Sequence, residues 1–111
     1  MNRFSHFMGV CVIAFSHASW AVTTIEIEIR NHLFYPSEIT IPADSKVKLI
    51  LINKDDSAEE FESYELNREK VIPAGRKGIV FIGPLRAGEY PFFGEFFPET
   101  AQGKVLVEET Q

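Results

Sequence analysis

The sequence GEYPFFGEFFPETAQG, residues 88–103, joins the last two strands that the pattern of this chain predicts. A turn leads into a strand at residues 89–93, and the final strand covers residues 104–108. Because successive side chains of an extended segment point to opposite faces, Phe96 and Phe97 cannot both point inward. We therefore expect one of these two rings to be exposed, where it would form a docking surface for a partner.

Outward from this stretch, the chain repeats short strands between Pro and Gly residues. Residues 23–30 alternate strictly between apolar and polar side chains, which is typical of a half-buried strand. Residues 46–54 carry apolar side chains on both faces, which favours a central strand. Further strands are predicted at residues 38–41 and 76–82, and no helical pattern is convincing. About seven short strands with this punctuation predict an all-β, antiparallel Greek-key β-sandwich.

The 111 residues are enough for one hydrophobic core and too few for two. Residues 1–21 look like a secretory signal, with a basic start, an apolar run at residues 7–15 and the small-residue cleavage pattern Ser19-Trp20-Ala21, or Ser16-His17-Ala18 as a second choice. A retained membrane anchor is the alternative, but the apolar run is shorter than the roughly 18 residues that a spanning helix needs. We expect cleavage, an exported domain at residues 22–111, and a mature chain that does not span the membrane.

Cleavage would remove both Met residues, the only Cys, the only Trp and two of the three His residues. The mature domain would keep one imidazole, His32, and no sulfur. It could then form no disulfide, no His/Cys/Met copper centre and no Cys/His zinc site. Loss of Arg3 leaves 10 Lys and Arg residues against 16 Asp and Glu residues, a net charge of −6. This acidity argues against nucleic acid as a partner and would attract cations.

Residues 55–65, DDSAEEFESYE, hold six carboxylates and are predicted to form an acidic loop. Carboxylates that converge either raise one another's pKa or hold a cation. A ligand set of oxygen atoms favours iron, manganese or calcium, or cupric ion if His32 assists. The plain alternative is a solvated loop whose acids pair weakly with surface Arg and Lys side chains. A lone His is likewise more often structural than a ligand.

Residues 88–103 resemble the metal loop of the small blue-copper proteins, Tyr-x-Phe-x-Cys-x-x-His-Pro-x-x-Met-x-Gly, in which the Cys, His and Met bind copper. Gly94, Phe97 and Ala101 stand at the positions of those three ligands. The resemblance implies a cupredoxin-type sandwich with Phe92 in its core and without type 1 blue copper. Four residues of the frame are retained: Tyr90, Phe92, Pro98 and Gly103.

Residues 59–63, EEFES, together with residues 91–96, PFFGEF, are similar to the EfeO-type cupredoxin-like domains. That group is associated with bacterial periplasmic iron uptake. The resemblance implies a periplasmic protein that handles iron or copper on carboxylates beside an iron permease or a periplasmic iron-binding protein. It also implies ferrous oxidation as a candidate activity, although no complete redox site is visible. The group commonly has His where this chain has Phe97, so one imidazole ligand is missing.

In the cupredoxin arrangement, the loop after Asn53 meets the loop at residues 94–101 at one end of the sandwich. The competing hypothesis is a metal-free cupredoxin shell that acts as an interaction module for a transporter or oxidase through Phe96 and Phe97. No Ser/His/Asp set for acyl transfer can be identified. On the metal-binding hypothesis, the expected ligands are Glu59, Glu60, Glu62, Glu95 and Glu99, with His32 as a further candidate.

Overall fold

The computed structural model describes residues 22–109, and these residues form nine β-strands. The predicted cleavage after residue 21 lies outside the described residues and stays a prediction. No helix between residues 22 and 109 has the length and apolar character needed to cross a membrane. The strands are β1 (Thr23–Arg30), β2 (Leu33–Tyr35), β3 (Glu38–Pro42), β4 (Val47–Asn53), β5 (Glu59–Ser63), β6 (Arg68–Ile72), β7 (Lys77–Ile82), β8 (Gly88–Gly94) and β9 (Gln102–Glu108).

The nine strands form two sheets that pack face to face. One sheet has the order β2-β1-β4-β7, and the other has the order β3-β9-β8-β5-β6. Two of the seven strand pairs, β1 with β4 and β3 with β9, are parallel, and the remaining pairs are antiparallel. The predicted β-sandwich is confirmed, and its sheets have two parallel pairs within an otherwise antiparallel arrangement.

The alternation read from the sequence decides which side chains enter the core. On β1, Ile27 and Ile29 are fully buried, whereas Glu26 and Glu28, which alternate with them, face outward. β4 lies between β1 and β7, as its apolar character predicted, and it buries Leu49 and Leu51 against the other sheet. Burying a side chain of this size contributes about 1.5–3 kcal/mol, so these alternating positions supply much of the driving force for folding.

The prediction of a loop across residues 55–65 is wrong at its centre, because Glu59–Ser63 forms β5. Phe61 and Ser63 point inward together with Glu59, whereas Glu60 and Glu62 point outward. The segment is extended because β6 and β8 pair with its two edges and satisfy its backbone groups. The many carboxylates concealed this alternation in the sequence. The break predicted at residues 31–36 likewise contains the short strand β2.

Three aromatic rings pack together in the part of the core next to β5. The ring centroids of Phe61 and Phe92 are 5.0 Å apart, and the Phe34 ring meets that of Phe92 edge-on at 5.1 Å. Such pairs contribute about 0.5–1.5 kcal/mol beyond the burial of their area. The prediction that Phe92 lies in the core is confirmed, since 1% of it is exposed.

Candidate functional site

Three carboxylates meet on the outer face of the five-stranded sheet. Glu60 and Glu62 project from β5, and Glu69 projects from β6 directly opposite Glu62. One carboxylate oxygen from each residue lies within 4.8 Å of the others. We call these three residues the acidic cluster. Spacing of this kind would let one cation contact all three carboxylates after small side-chain movements.

The electrostatics of the acidic cluster disfavour three separate negative charges. Partial burial, followed by the charge of Glu69, raises the pKa of Glu60. The pKa of Glu62 is raised by partial burial and then by the charges of Glu69 and Glu60. Among residues 22–109, none of the ion pairs involves these carboxylates. The three carboxylates therefore form no salt bridge within the described part of the chain and would gain from a proton or a cation.

Glu95 borders the acidic cluster from the end of β8. Its backbone N–H donates to the Glu60 carbonyl oxygen at 2.8 Å, which holds the loop after β8 against β5. Its negative charge contributes to the raised pKa of both Glu60 and Glu62. Glu95 therefore belongs to the same electrostatic site, although its carboxylate lies outside the group of three that converge most closely.

Glu59 points the opposite way, into the interior, and only 1% of it is exposed. Its Oε1 accepts hydrogen bonds from the backbone N–H groups of Glu60 and Phe96, each at 2.9 Å. Its Oε2 is buried and has no hydrogen-bond partner within the described residues. The carboxylate thus connects β5 to the loop after β8, and one of its oxygens is left without a partner.

His32 and Phe97 form a second, separate feature at the same end of the sandwich. Their rings stack with centroids 3.6 Å apart and an interplanar angle of 18°. The Asp55 carboxylate accepts from the backbone N–H groups of Asn31 and His32 at 2.7 and 3.0 Å, which stabilises two residues with positive φ. Thr100 Oγ1 donates to the His32 carbonyl oxygen at 2.6 Å. These bonds hold His32 in a turn above the loop of residues 95–101.

A shallow pocket opens beside this stacked pair. Phe96 is 48% exposed at its edge, in agreement with the expectation that one of the two neighbouring Phe rings faces solvent. The pocket is lined by His32, Phe96, Phe97, Pro98, Glu99 and Thr100.

A sequence model of the family described as "Cupredoxin-like domain" matches residues 5–107. The chain belongs to the cupredoxin-like domain family. It is 38% identical over 86 residues to an uncharacterized protein of Rickettsia prowazekii (strain Madrid E), a match that covers 78% of this chain and 69% of that protein.

Solved structures with the same fold include copper proteins. Auracyanin A, a blue copper protein from Chloroflexus aurantiacus, superposes with a TM-score of 0.69 at 15% identity, over 79% of this chain and all of that chain. The Cu(I)-bound metal-binding domain of the Cu(I)-exporting ATPase CopA from Streptococcus pneumoniae D39 superposes with a TM-score of 0.66 at 15% identity, over 78% and 85% of the two chains. At these identities the likeness shows the fold, which is related to that of copper-binding proteins.

The cupredoxin fold implies copper, and Gly94 and Ala101 stand where the resemblance to the blue-copper loop places two of its ligands. Gly94 and Ala101 are both buried, and the Gly94 N–H donates to the Ala101 carbonyl oxygen at 2.8 Å. A Cβ on Gly94 would overlap Oε2 of Glu59 and would lie 2.5 Å from its Cδ and 2.7 Å from the Ala101 Cβ. The carboxylate of Glu59 therefore fills the space that a side chain at position 94 would need. One carboxylate with no thiolate, thioether or free imidazole beside it does not fit a type 1 copper ion.

The six predicted ligands of this cupredoxin fall in three places because of strand alternation and loop geometry. Glu60, Glu62 and Glu95 share the outer face, Glu59 is inside, and Glu99 lies in the pocket beside His32.

Glu69 is the member of the acidic cluster that sequence reasoning missed. The usable signal was the turn at residues 64–67, since a hairpin closed there pairs Ser63 with Arg68 and Glu62 with Glu69. Asn67 has a φ of 55°, a left-handed conformation that Asn tolerates at turns.

Proposed function

We propose that this chain is an exported cupredoxin-like metal-handling protein that binds a divalent cation, ferrous iron or cupric ion, at the acidic cluster. The convergence of Glu60, Glu62 and Glu69 within 4.8 Å carries the proposal. Oxygen ligands of this kind suit hard and borderline cations. Glu95 adds negative charge at the edge of the site.

The raised pKa values of Glu60 and Glu62 support a cation rather than a purely structural surface. Carboxylates that repel one another carry a cost that binding of a cation removes. The acidic cluster also lies on a rigid sheet, where β6 and β8 pair with β5 on its two sides. Its ligands are therefore already held close together before the cation arrives.

Transport of the cation fits the ligand set better than redox chemistry. The acidic cluster contains three carboxylates and no thiolate or imidazole, which are the ligands that tune copper for electron transfer. Ferrous oxidation would require an oxidant and further ligands from a partner. We therefore propose that the protein passes a metal ion, or with such a partner an electron, onward.

The proposed setting is a bacterial periplasmic iron-uptake system, with an iron permease or a periplasmic iron-binding protein as the recipient. This part rests on the likeness of residues 59–63 and 91–96 to the EfeO-type domains. The signal-like residues 1–21 support export.

A metal-free interaction module is the second candidate, and the exposed Phe96 favours it. An aromatic side chain beside a shallow, partly apolar pocket is a typical anchor for a protein partner. On this alternative, Phe96→Ala would abolish partner binding, whereas neutralising the acidic cluster would leave it unchanged.

Calorimetric titration of the purified protein with ferrous, ferric, cupric and manganous ions tests the first proposal, with oxygen excluded for the ferrous runs. Saturable binding of one ion per chain is expected, together with a loss of at least about tenfold in affinity in Glu62→Gln. Glu38→Gln is the matched control, since Glu38 is a strand glutamate that lies on the far edge of the same sheet. The proposal would be overturned if none of the four ions bound, or if both variants lost affinity equally.

A further inference from the structure

The outer face of the four-stranded sheet combines exposed apolar side chains with basic ones. β7 contributes Ile79 and Phe81, each 45% exposed, and Ile50 and Ile52 of β4 lie half-buried beside them. Of the eight large apolar side chains that are exposed in residues 22–109, half lie on this face: Leu33, Tyr35, Ile79 and Phe81. We call this surface the β4 face, after the strand that lies between β1 and β7.

Strand alternation decides which charges accompany these apolar side chains. It places two acidic and three basic residues of the strands on the β4 face: Glu26, Glu28, Arg30, Lys48 and Lys77. Lys46 adds a fourth basic residue, because its Nζ lies 5.2 Å from the centre of the Phe81 ring. The β4 face therefore carries four basic and two acidic residues, a net charge of +2.

The sign of this charge is opposite to that of the rest of the domain. Residues 22–109 contain 10 basic and 16 acidic residues. Outside the β4 face, six basic and 14 acidic residues remain, a net charge of −8. The acidic cluster lies on the outer face of the other sheet, on the far side of the sandwich. The domain therefore has one basic, apolar side and one strongly acidic side.

Basic side chains lie against aromatic rings at both edges of the β4 face. At the edge formed by β1 and β2, the guanidinium carbon of Arg30 lies 4.1 Å from the centre of the Tyr35 ring. At the edge formed by β7, Lys46 lies over Phe81. Aromatic rings are favoured at the level of lipid headgroups, and long basic side chains pack their apolar stems on a ring while the charged end reaches a phosphate. These pairs therefore suit the boundary between an apolar layer and an anionic one.

We propose that the β4 face docks on the surface of an anionic lipid bilayer. The exposed rings and Ile side chains reach the boundary between headgroups and acyl chains, and the basic residues bind lipid phosphates. Glu28 forms an ion pair with Arg30 at 2.9 Å, so its charge is partly offset. Glu26 is the remaining acid, and it weakens the attraction without reversing its sign. Lipid headgroups rearrange around such a mixed surface, so no matching pattern of charges is required of them.

Two contributions of moderate size set the strength of docking. Each Lys or Arg near an anionic surface strengthens binding by about fivefold. Insertion of one half-exposed Ile or Phe side chain strengthens it by about tenfold. The two acids offset part of this attraction, and salt screens the charged part. Docking is therefore reversible and weakens as the salt concentration rises.

Docking by the β4 face also sets the orientation of the domain. Because the two sheets pack face to face, the outer face of the five-stranded sheet then points away from the lipid. The acidic cluster stays accessible from solution, and its negative charge is kept away from the anionic surface. Membrane docking does not depend on metal binding, so Glu62→Gln should leave the affinity for vesicles unchanged.

Co-sedimentation of the purified full chain with lipid vesicles tests the proposal, with the N-terminus of the chain defined by mass spectrometry. Vesicles that contain phosphatidylglycerol should bind the protein, and vesicles of phosphatidylcholine alone should bind it more weakly by about tenfold or more. Ile79→Gln should weaken binding to the anionic vesicles by about tenfold. Val71→Gln is the matched control, since Val71 is a strand residue of similar exposure, 49%, on β6 of the other sheet.

A second pair of variants tests the charges. Lys77→Gln should weaken binding to the anionic vesicles by about fivefold. Lys104→Gln removes the same charge from β9 of the other sheet and should leave binding unchanged. Circular dichroism of every variant confirms that its fold is intact.

Nuclear magnetic resonance with a spin-labelled lipid tests the orientation. The amide signals of β4 and β7 should broaden more than those of β5 and β6, because the two pairs of strands belong to opposite sheets. A protein that stays free of anionic vesicles would leave the β4 face to a protein partner and would overturn the proposal. Equal losses of affinity in Ile79→Gln and Val71→Gln, or stronger broadening at β5 than at β4, would overturn it as well.

Discussion

Replacement of Gly94 by Ala tests the idea that the Glu59 carboxylate fills the space of a ligand side chain. Gly94 does not have a positive φ, so an added methyl group is excluded by its neighbours rather than by the backbone conformation. Its Cβ would lie 2.5 Å from Glu59 Cδ and 2.7 Å from the Ala101 Cβ. The neighbouring atoms must move by about 1 Å to reach ordinary packing distances.

The relaxation is costly because Glu59 is held in place. Its Oε1 accepts two backbone hydrogen bonds, and hydrogen bonds to a charged group contribute about 1.5–3 kcal/mol each. Overpacking of a core typically costs about 1–3 kcal/mol. We expect Gly94→Ala to lower the free energy of unfolding by about 3–5 kcal/mol, a large part of the roughly 5–10 kcal/mol available to a domain of this size.

Urea unfolding measured by circular dichroism provides the assay, in the form of a double-mutant cycle. Glu59→Ala alone leaves two backbone N–H groups without partners and should cost about 2–4 kcal/mol. With that carboxylate gone, Gly94→Ala meets only Ala101 and should cost about 1–2 kcal/mol. The loss of unfolding free energy in the double variant should therefore be smaller than the sum of the two single losses by at least about 1 kcal/mol.

Gly75→Ala serves as the control, because a Cβ there meets nothing within 4 Å, although φ is +69°. Gly75→Ala should lower the free energy of unfolding by about 1–2 kcal/mol through backbone strain alone. This decrease should be the same with or without the Glu59 carboxylate. Additivity of Gly94→Ala and Glu59→Ala within about 0.5 kcal/mol would refute the reasoning.

Three further predictions concern the acidic cluster and the buried Asn53. Cation affinity should fall as the pH is lowered through the pKa values of Glu60 and Glu62, which lie above the ordinary 4.5. Calorimetry at several pH values measures this dependence. An affinity that does not change with pH would show that other groups bind the ion. Because folding raises these pKa values, their contribution to stability is fully present below pH 4.5 and is lost as the pH rises through the folded values. Glu62→Gln should therefore stabilise the metal-free protein at neutral pH and not in acid, as urea unfolding at both pH values would show. Asn53 Nδ2 contacts the carbonyl oxygens of Ser57, Ile72 and Pro73 at 2.9–3.3 Å, so Asn53→Ala should cost about 2–4 kcal/mol in the same assay, and a loss below about 1 kcal/mol would contradict this account.

The parts of the fold that were predictable depend on local patterns. The alternation of Ile27 and Ile29 with Glu residues locates β1, since a period of two decides which face of a strand is buried. β4 was recognised as a central strand because its apolar residues lie on both faces. The frame of residues 88–103 was sufficient to predict the cupredoxin-type sandwich and the core position of Phe92.

The candidate site was less predictable because strand pairing between distant parts of the chain assembles it. Phe61 pairs with Gly94, and this register turns Glu59 inward toward the empty space beside that glycine. A local reading of six acids in eleven residues favours a loop, since burial of an unpaired carboxylate is costly. The hydrogen bond from the Phe96 N–H that offsets part of this cost comes from a residue 37 positions away.

The sequence by itself determined the sandwich, the presence of Gly94, Phe97 and Ala101 in the stretch before the last strand, and the excess of acidic residues. Each of these follows from residue identity or from alternation along a single strand. Only the tertiary structure decided that Glu59 is separated from Glu60 and Glu62, that Glu69 completes the acidic cluster, and that β4 lies between β1 and β7. These features depend on which strands are neighbours and in which register, and that choice is made by burial and backbone pairing summed over the whole chain.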